Sequence, residues 1–140
     1  MKYYAHLVKV ISESANLFDL DVPEYRVEGT TKVLCDGYRK VEKSFCHSAT
    51  TTLVTKAMLG VFGCVPAFDS YFTTGFGSGM FGERSLGGIL EFYDANREII
   101  DDSRISTLAF DLGQDSTTFK YPVAKVIDMI FFIEGMNKVR

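Results

Sequence analysis

Tyr3, Tyr4, Leu7, Val8, Ile11, Ala15 and Phe18 recur at steps of mostly three and four residues, which places them on one stripe of a helix. That helix is expected to stop near Phe18. Asp19, Asp21 and Pro23 disfavour its continuation, Pro23 by restricting Val22 and by lacking an N–H. A loop runs to Gly29, and Thr30 or Thr31 caps a second helix. Its inner stripe is Leu34, Tyr38, Val41 and Phe45, its wet side carries Arg39, Lys40 and Lys43, and Gly37 weakens it by about 1 kcal/mol relative to alanine.

Residues 48–82 form the expected centre of the fold. Ser48 caps a third helix with Leu53, Val54, Ala57, Met58 and Val61 on its apolar face, and Gly63 ends it. Thr50, Thr51 and Thr52 lower its intrinsic propensity, so burial must hold it. After a tight crossing at Cys64-Val65-Pro66, Asp69 or Ser70 caps a short fourth helix carrying Tyr71, Phe72 and Phe76. Gly75, Gly77, Gly79 and Gly82 break it. Ser85 caps a fifth helix with Leu86, Ile89, Leu90, Tyr93 and Ile100 inside and an acidic outer face.

Ile105, Leu108, Ala109 and Leu112 have the spacing of a short helix, with a β segment at 106–110 as the alternative. A turn at 113–118 and a brief strand at 118–121 follow. Pro122 suits the first turn of a last helix. Val123, Val126, Ile127, Ile130, Phe131 and Ile133 make that helix apolar over most of its circumference, so it is expected to lie deep and to pair centrally with the third. The pattern as a whole predicts an all-α fold: one compact domain over residues 1–140, a bundle of five to seven helices with a short β segment near 106–121.

Composition adds limits. At 140 residues with 46% hydrophobic and 24% charged residues, the chain can bury one core and lies far from the signature of disorder. Cys35, Cys46 and Cys64 are an odd number with no CxxC pair, which argues against a disulfide framework and fits a reducing, cytoplasmic setting. The apolar run at 129–133 is far short of the ~20 residues that span a bilayer, and no signal-peptide pattern is present, so a soluble protein is expected. A net charge of −3 gives no general attraction for phosphate backbones. The basic residues nonetheless gather between Arg26 and Lys56, and the acids Glu91, Asp94, Glu98, Asp101 and Asp102 gather later.

Gly77-Ser78-Gly79-Met80-Phe81-Gly82 matches GxGxxG, but no branched aliphatic strand precedes it and no acid-ended strand follows, so it reads as a helix-to-helix connector. Cys46, His47, Cys64 and Asp69 supply residue types for thiol or metal chemistry at a spacing that matches no metal motif. No metal and no cofactor is expected. Asp69 is the strongest single candidate for chemistry, a carboxylate beside aromatic rings at a helix start. Val65, Pro66 and Asp69, preceded by an apolar helix and followed by another helix, resemble the catalytic-aspartate region of helix-hairpin-helix DNA glycosylases. The resemblance is confined to this segment and lacks that family's glycine-rich hairpin. It would imply that Asp69 stabilises positive charge on the sugar as a base leaves. Phe68 or Tyr71 would then stand near the flipped base, and Lys32, Arg39, Lys40 and Lys43 on the backbone.

Among the twelve phenylalanines and seven tyrosines, Phe62, Phe68, Tyr71, Phe72, Phe76 and Phe81 form the densest cluster, where rings left on the surface would make an interface hot spot. The leading expectation is therefore a protein-interaction or inhibitory module whose partner is another protein. Its surface would be Phe68, Tyr71, Phe72, Phe76, Gly77, Gly79 and Phe81, or the acidic face of Glu98, Asp101 and Asp102. A DNA-acting enzyme using Asp69 is the alternative.

Overall fold

The computed structural model of the protein describes residues 5–107 and 119–140. The architecture is all-α, with seven α-helices among the described residues: α1 (Ala5–Glu13), α2 (Thr30–Ser44), α3 (Thr51–Phe62), α4 (Ser70–Phe76), α5 (Glu83–Ala95), α6 (Arg97–Asp102) and α7 (Val123–Val139). Short 3₁₀ turns cover Ala15–Asp19 and Val22–Arg26. Strands β1 (Ser106–Thr107) and β2 (Phe119–Lys120) pair antiparallel, Ser106 opposite Lys120, where the brief β segment was expected. Tyr3 and Tyr4, and the helix or turn expected from Leu108 to Thr118, lie outside the described residues.

The first helix is shorter than its apolar spacing predicts. It ends at Glu13, and Ala15–Asp19 turns as 3₁₀ so that Leu17 points inward. Asp21 does more than stop a helix. Its carboxylate accepts from Val22 N at 2.7 Å, capping the next 3₁₀ turn. It also accepts from Val123 N at 2.6 Å and Ala124 N at 2.9 Å, a cap for α7 supplied from the far end of the chain. Pro122 has no side chain able to do this, and α7 would otherwise start with open donors. Burial outweighs these N–H groups and Arg104, so the Asp21 carboxyl titrates above the usual carboxylate value.

Helix α2 starts after Gly29, whose backbone is left-handed, and not after a capping threonine. Leu34, Gly37 and Val41 are buried on it. Gly37 is a fitted position: a Cβ there would lie 2.8 Å from Leu17 Cδ1. Thr50, not Ser48, caps α3 through Leu53 N. Gly82, not Ser85, sits at the start of α5, with the Ser85 hydroxyl bonded back to it. The fifth helix also breaks at Asn96, which makes α6 separate.

The main correction concerns the centre. Helix α7 packs most extensively on α4, not on α3. Gly75 of α4 faces the backbone of Phe131 and Gly135, and Gly135 of α7 faces the backbone of Tyr71. Neither position has room for a Cβ, so the two helices meet main chain against main chain. Nor is α7 deep throughout. Val123, Ala124, Val126, Ile127 and Asp128 are buried, whereas Met129 is 39% and Ile133 54% exposed.

Candidate functional site

The segment from Gly63 to Asp69 is fixed from four sides. Gly63 ends α3 with φ 69°, the left-handed conformation that favours glycine. Tyr25 Oη donates to Cys64 O at 2.6 Å, and Ala67 N donates to Asp128 Oδ1 at 3.0 Å. Thr55 Oγ1 accepts from Phe68 N at 2.8 Å, while Thr52 Oγ1 donates to Phe68 O at 2.8 Å. Thr52, one of the threonines that lower the intrinsic propensity of α3, thus binds the backbone that follows the helix, together with Thr55. These bonds supply partners to the backbone groups of Cys64, Ala67 and Phe68, which lie in the interior.

Asp69 lies at the end of this corner with both oxygens engaged. Oδ1 accepts from Phe72 N at 3.0 Å, capping α4, and Oδ2 lies 3.4 Å from Lys56 Nζ. Asp128 is arranged in parallel: Oδ1 holds Ala67 N, and Oδ2 takes Lys125 Nζ at 2.9 Å.

Beside the corner, where α3 and α7 diverge, is an open cleft of about 870 Å³. One wall is α3 from Lys56 to Phe62, and the other is α7 from Lys125 to Ile133. Ala67 and Asp69 contribute from the corner, and Tyr121 and Pro122 from the approach to α7. Its apolar lining includes Leu59, Val61, Pro122, Met129, Phe132 and Ile133, and its four charged groups are the Lys56–Asp69 and Lys125–Asp128 pairs. Size and lining fit the range of ligand and side-chain binding clefts.

The aromatic residues expected on a surface mostly build the interior. Phe68 and Phe72 are buried, and Phe76 and Phe81 are half-buried against the core. Phe68 touches the rings of Phe72, Phe76 and Phe81 at 4.9, 6.4 and 5.5 Å. Phe81 stacks on Tyr38 at 4.6 Å, tying α2 to the corner. Only Tyr71 of this set is exposed, and it sits edge-on to Phe132 at 5.0 Å. Gly77 and Gly79 are exposed in the α4–α5 connection, away from the cleft lining. A helix, not a strand, precedes the GxGxxG sequence.

The acidic residues are spread among partners. Asp101 accepts from Tyr93 Oη at 3.1 Å and pairs with Arg97, and Asp94 pairs with Arg26 at 2.9 Å, while Glu98 and Asp102 are exposed. Lys32, Arg39, Lys40 and Lys43 are exposed along α2, and none of them lines the cleft beside Asp69. Cys64 is fully buried and burial pushes its thiol up to about 12, so it stays protonated and unreactive at neutral pH. Cys46 and His47 are exposed. Among the described residues no three histidine, cysteine, aspartate or glutamate side chains are grouped to hold a metal ion, and no helix is long and apolar enough to cross a membrane.

Lys56, Lys125, Asp128, Met129 and Ile133 were not legible as a site from sequence. One signal was there: Lys125 and Asp128 are the only charges between Val123 and Ile133, three residues apart, so they share one face of an otherwise apolar stretch. No family model, curated protein or solved structure matches the chain.

Proposed function

We propose that this protein is an interaction module and that the cleft between α3 and α7 is where it receives a segment of another protein. The observation that carries this reading is the exposure of Val61, Tyr121, Met129 and Ile133, 37 to 54% each, around one continuous depression. Scattered surface apolar residues need no explanation, but a contiguous set lining a concavity marks a contact surface. The reading assigns no reaction to Asp69, whose two oxygens serve the α4 cap and Lys56.

Magnitudes decide what kind of contact this is. Each half-exposed side chain has on the order of 1 kcal/mol left to gain on burial. Four of them together only approach the cost of association, about 4 kcal/mol at the least. Polar complementarity must therefore contribute, and a reversible, regulated contact fits better than a permanent one.

The test is a benzophenone side chain placed at Ile133 and, separately, at Ile99, which is 70% exposed beside the acidic residues of α6. Irradiation in the source cells should give a discrete adduct from position 133 and none from 99. Adducts from 99 alone would move the function to the acidic face, and none from either would overturn the reading.

A further inference from the structure

We infer that a second, smaller hollow, between the end of α1 and the outer side of α2, is a binding site for a small carboxylate with a short hydrocarbon chain. The hollow holds about 190 Å³ and shares no residue with the cleft. Its buried lining residues, Ser14, Leu17 and Gly37, form the floor, and the exposed ones, Asn16, Val33, Asp36 and Lys40, form the rim. Gly37 lets the floor close, since a Cβ there would lie 2.8 Å from Leu17 Cδ1.

Ser14 marks this hollow as more than a surface dent. It is 2% exposed and its backbone is fully used, N donating to Ile11 O at 3.2 Å and O accepting from Leu17 N at 2.9 Å. Its Oγ has no hydrogen-bond partner, and among the described residues no other buried side-chain nitrogen or oxygen is left so. Thr52 and Thr55 show the usual outcome, hydroxyls taken up by nearby backbone. A buried hydroxyl without such a partner has given up water for nothing, and a molecule entering the hollow supplies the missing bond. The volume holds about six groups at the ~30 Å³ of a water in the liquid, more than one bridging water needs.

Charge sets the class of that molecule. Asp36 already takes Arg39 Nη1 on Oδ1 at 2.7 Å. Lys40 stands one turn further along α2, and among the described residues neither its ammonium nor the Asn16 amide has a partner. The rim therefore carries one positive charge that nothing offsets. A space of this volume is about 6 Å across, so a carboxylate seated on Ser14 lies within reach of Lys40 on its flexible stem. Its two oxygens can take hydrogen bonds from the hydroxyl, the amide and the ammonium. A phosphate monoester, with close to two negative charges, would set the second against Asp36. Leu17 and Val33 provide apolar contact for a short chain.

The experiment titrates the ¹⁵N-labelled full chain with butyrate, which is of the right size, and in parallel with butylamine and methyl phosphate. Butyrate should shift the amide signals of Ser14, Leu17 and Gly37 saturably, half-complete at about 10 mM or below, and butylamine should not. Lys40→Gln, an exposed change that leaves the fold alone, should weaken butyrate at least about threefold, and Ser14→Ala about fivefold. Shifts that rise without saturating, shifts that butylamine reproduces, or an affinity unchanged in either variant overturn the site. Methyl phosphate binding more tightly than butyrate overturns the carboxylate assignment. None of these outcomes bears on the cleft between α3 and α7.

Discussion

Helix α7 meets two neighbours in opposite ways. Against α4 its backbone comes into direct main-chain contact at Gly75 and Gly135, with the rings of Tyr71, Phe72 and Phe76 packed on Phe131 and Phe132 around that contact. Against α3 it diverges, leaving Met129 and Ile133 at the edge of an open cleft whose α3 wall includes Gly60, with no atom within 4 Å of where a Cβ would stand. Both sides begin at the same corner, Gly63 to Asp69, whose buried polar groups are held by Tyr25, Thr52, Thr55 and Asp128. The two sides of α7 thus differ in kind: one is closed main chain against main chain, and the other is open.

The sharpest way to break this contrast is to put methyl groups on the sealed side. Gly135→Ala or Gly75→Ala must push the two helices apart, and a loss of about 3 kcal/mol or more, roughly 10 °C in Tm, is expected by calorimetry. Next in size is the anchor that starts α7. Asp21→Ala leaves the N–H groups of Val22, Val123 and Ala124 without their acceptor, and chemical denaturation should show a loss of about 2 to 3 kcal/mol.

The corner itself predicts an alkaline weakness. The Cys64 thiol ordinarily titrates near 9 but is held to about 12 in the folded chain, and burial carries the Tyr25 phenol well above 10. Unfolded chains release these protons first, so the stability tied to them is complete below pH 9 and is lost as pH rises toward 12. The slope is up to about 1.4 kcal/mol per pH unit for one group. Urea midpoints at pH 8 and pH 10.5 should differ accordingly, and Cys64→Ala should flatten the difference. On the open side the sign reverses. Gly60→Ala adds a helix-favouring residue where nothing obstructs it and should stabilise the protein by about 0.5 to 1 kcal/mol in the same assay.

Much of the sealed side was legible in the chain. The Asp69 cap on α4, the Gly63 stop on α3 and the buried stripe of α2 follow from local rules that act over three or four residues. The cleft was not legible, because apolar spacing gives an element a face without saying whether a neighbour covers it. Leu53 and Val61 read as inner residues of α3, yet Thr55 takes an interior position through its bonds to the corner, and both turn outward. Asp21 reads as a helix stop because its second use, as the α7 cap, is set by a contact with residues more than 100 positions away in the chain. Helix α7 reads as wholly interior because its apolar residues run round the circumference, and only the glycine contact with α4 decides which side is closed.

A cleft open in solution must be dispensable for folding. The thermal unfolding midpoint of Ile133→Glu tests that directly. A charged residue at a position 54% exposed should leave the midpoint within about 2 °C of the unsubstituted protein. A fall of about 8 °C or more would mean that Ile133 is a core residue in solution and that α7 has no face to spare.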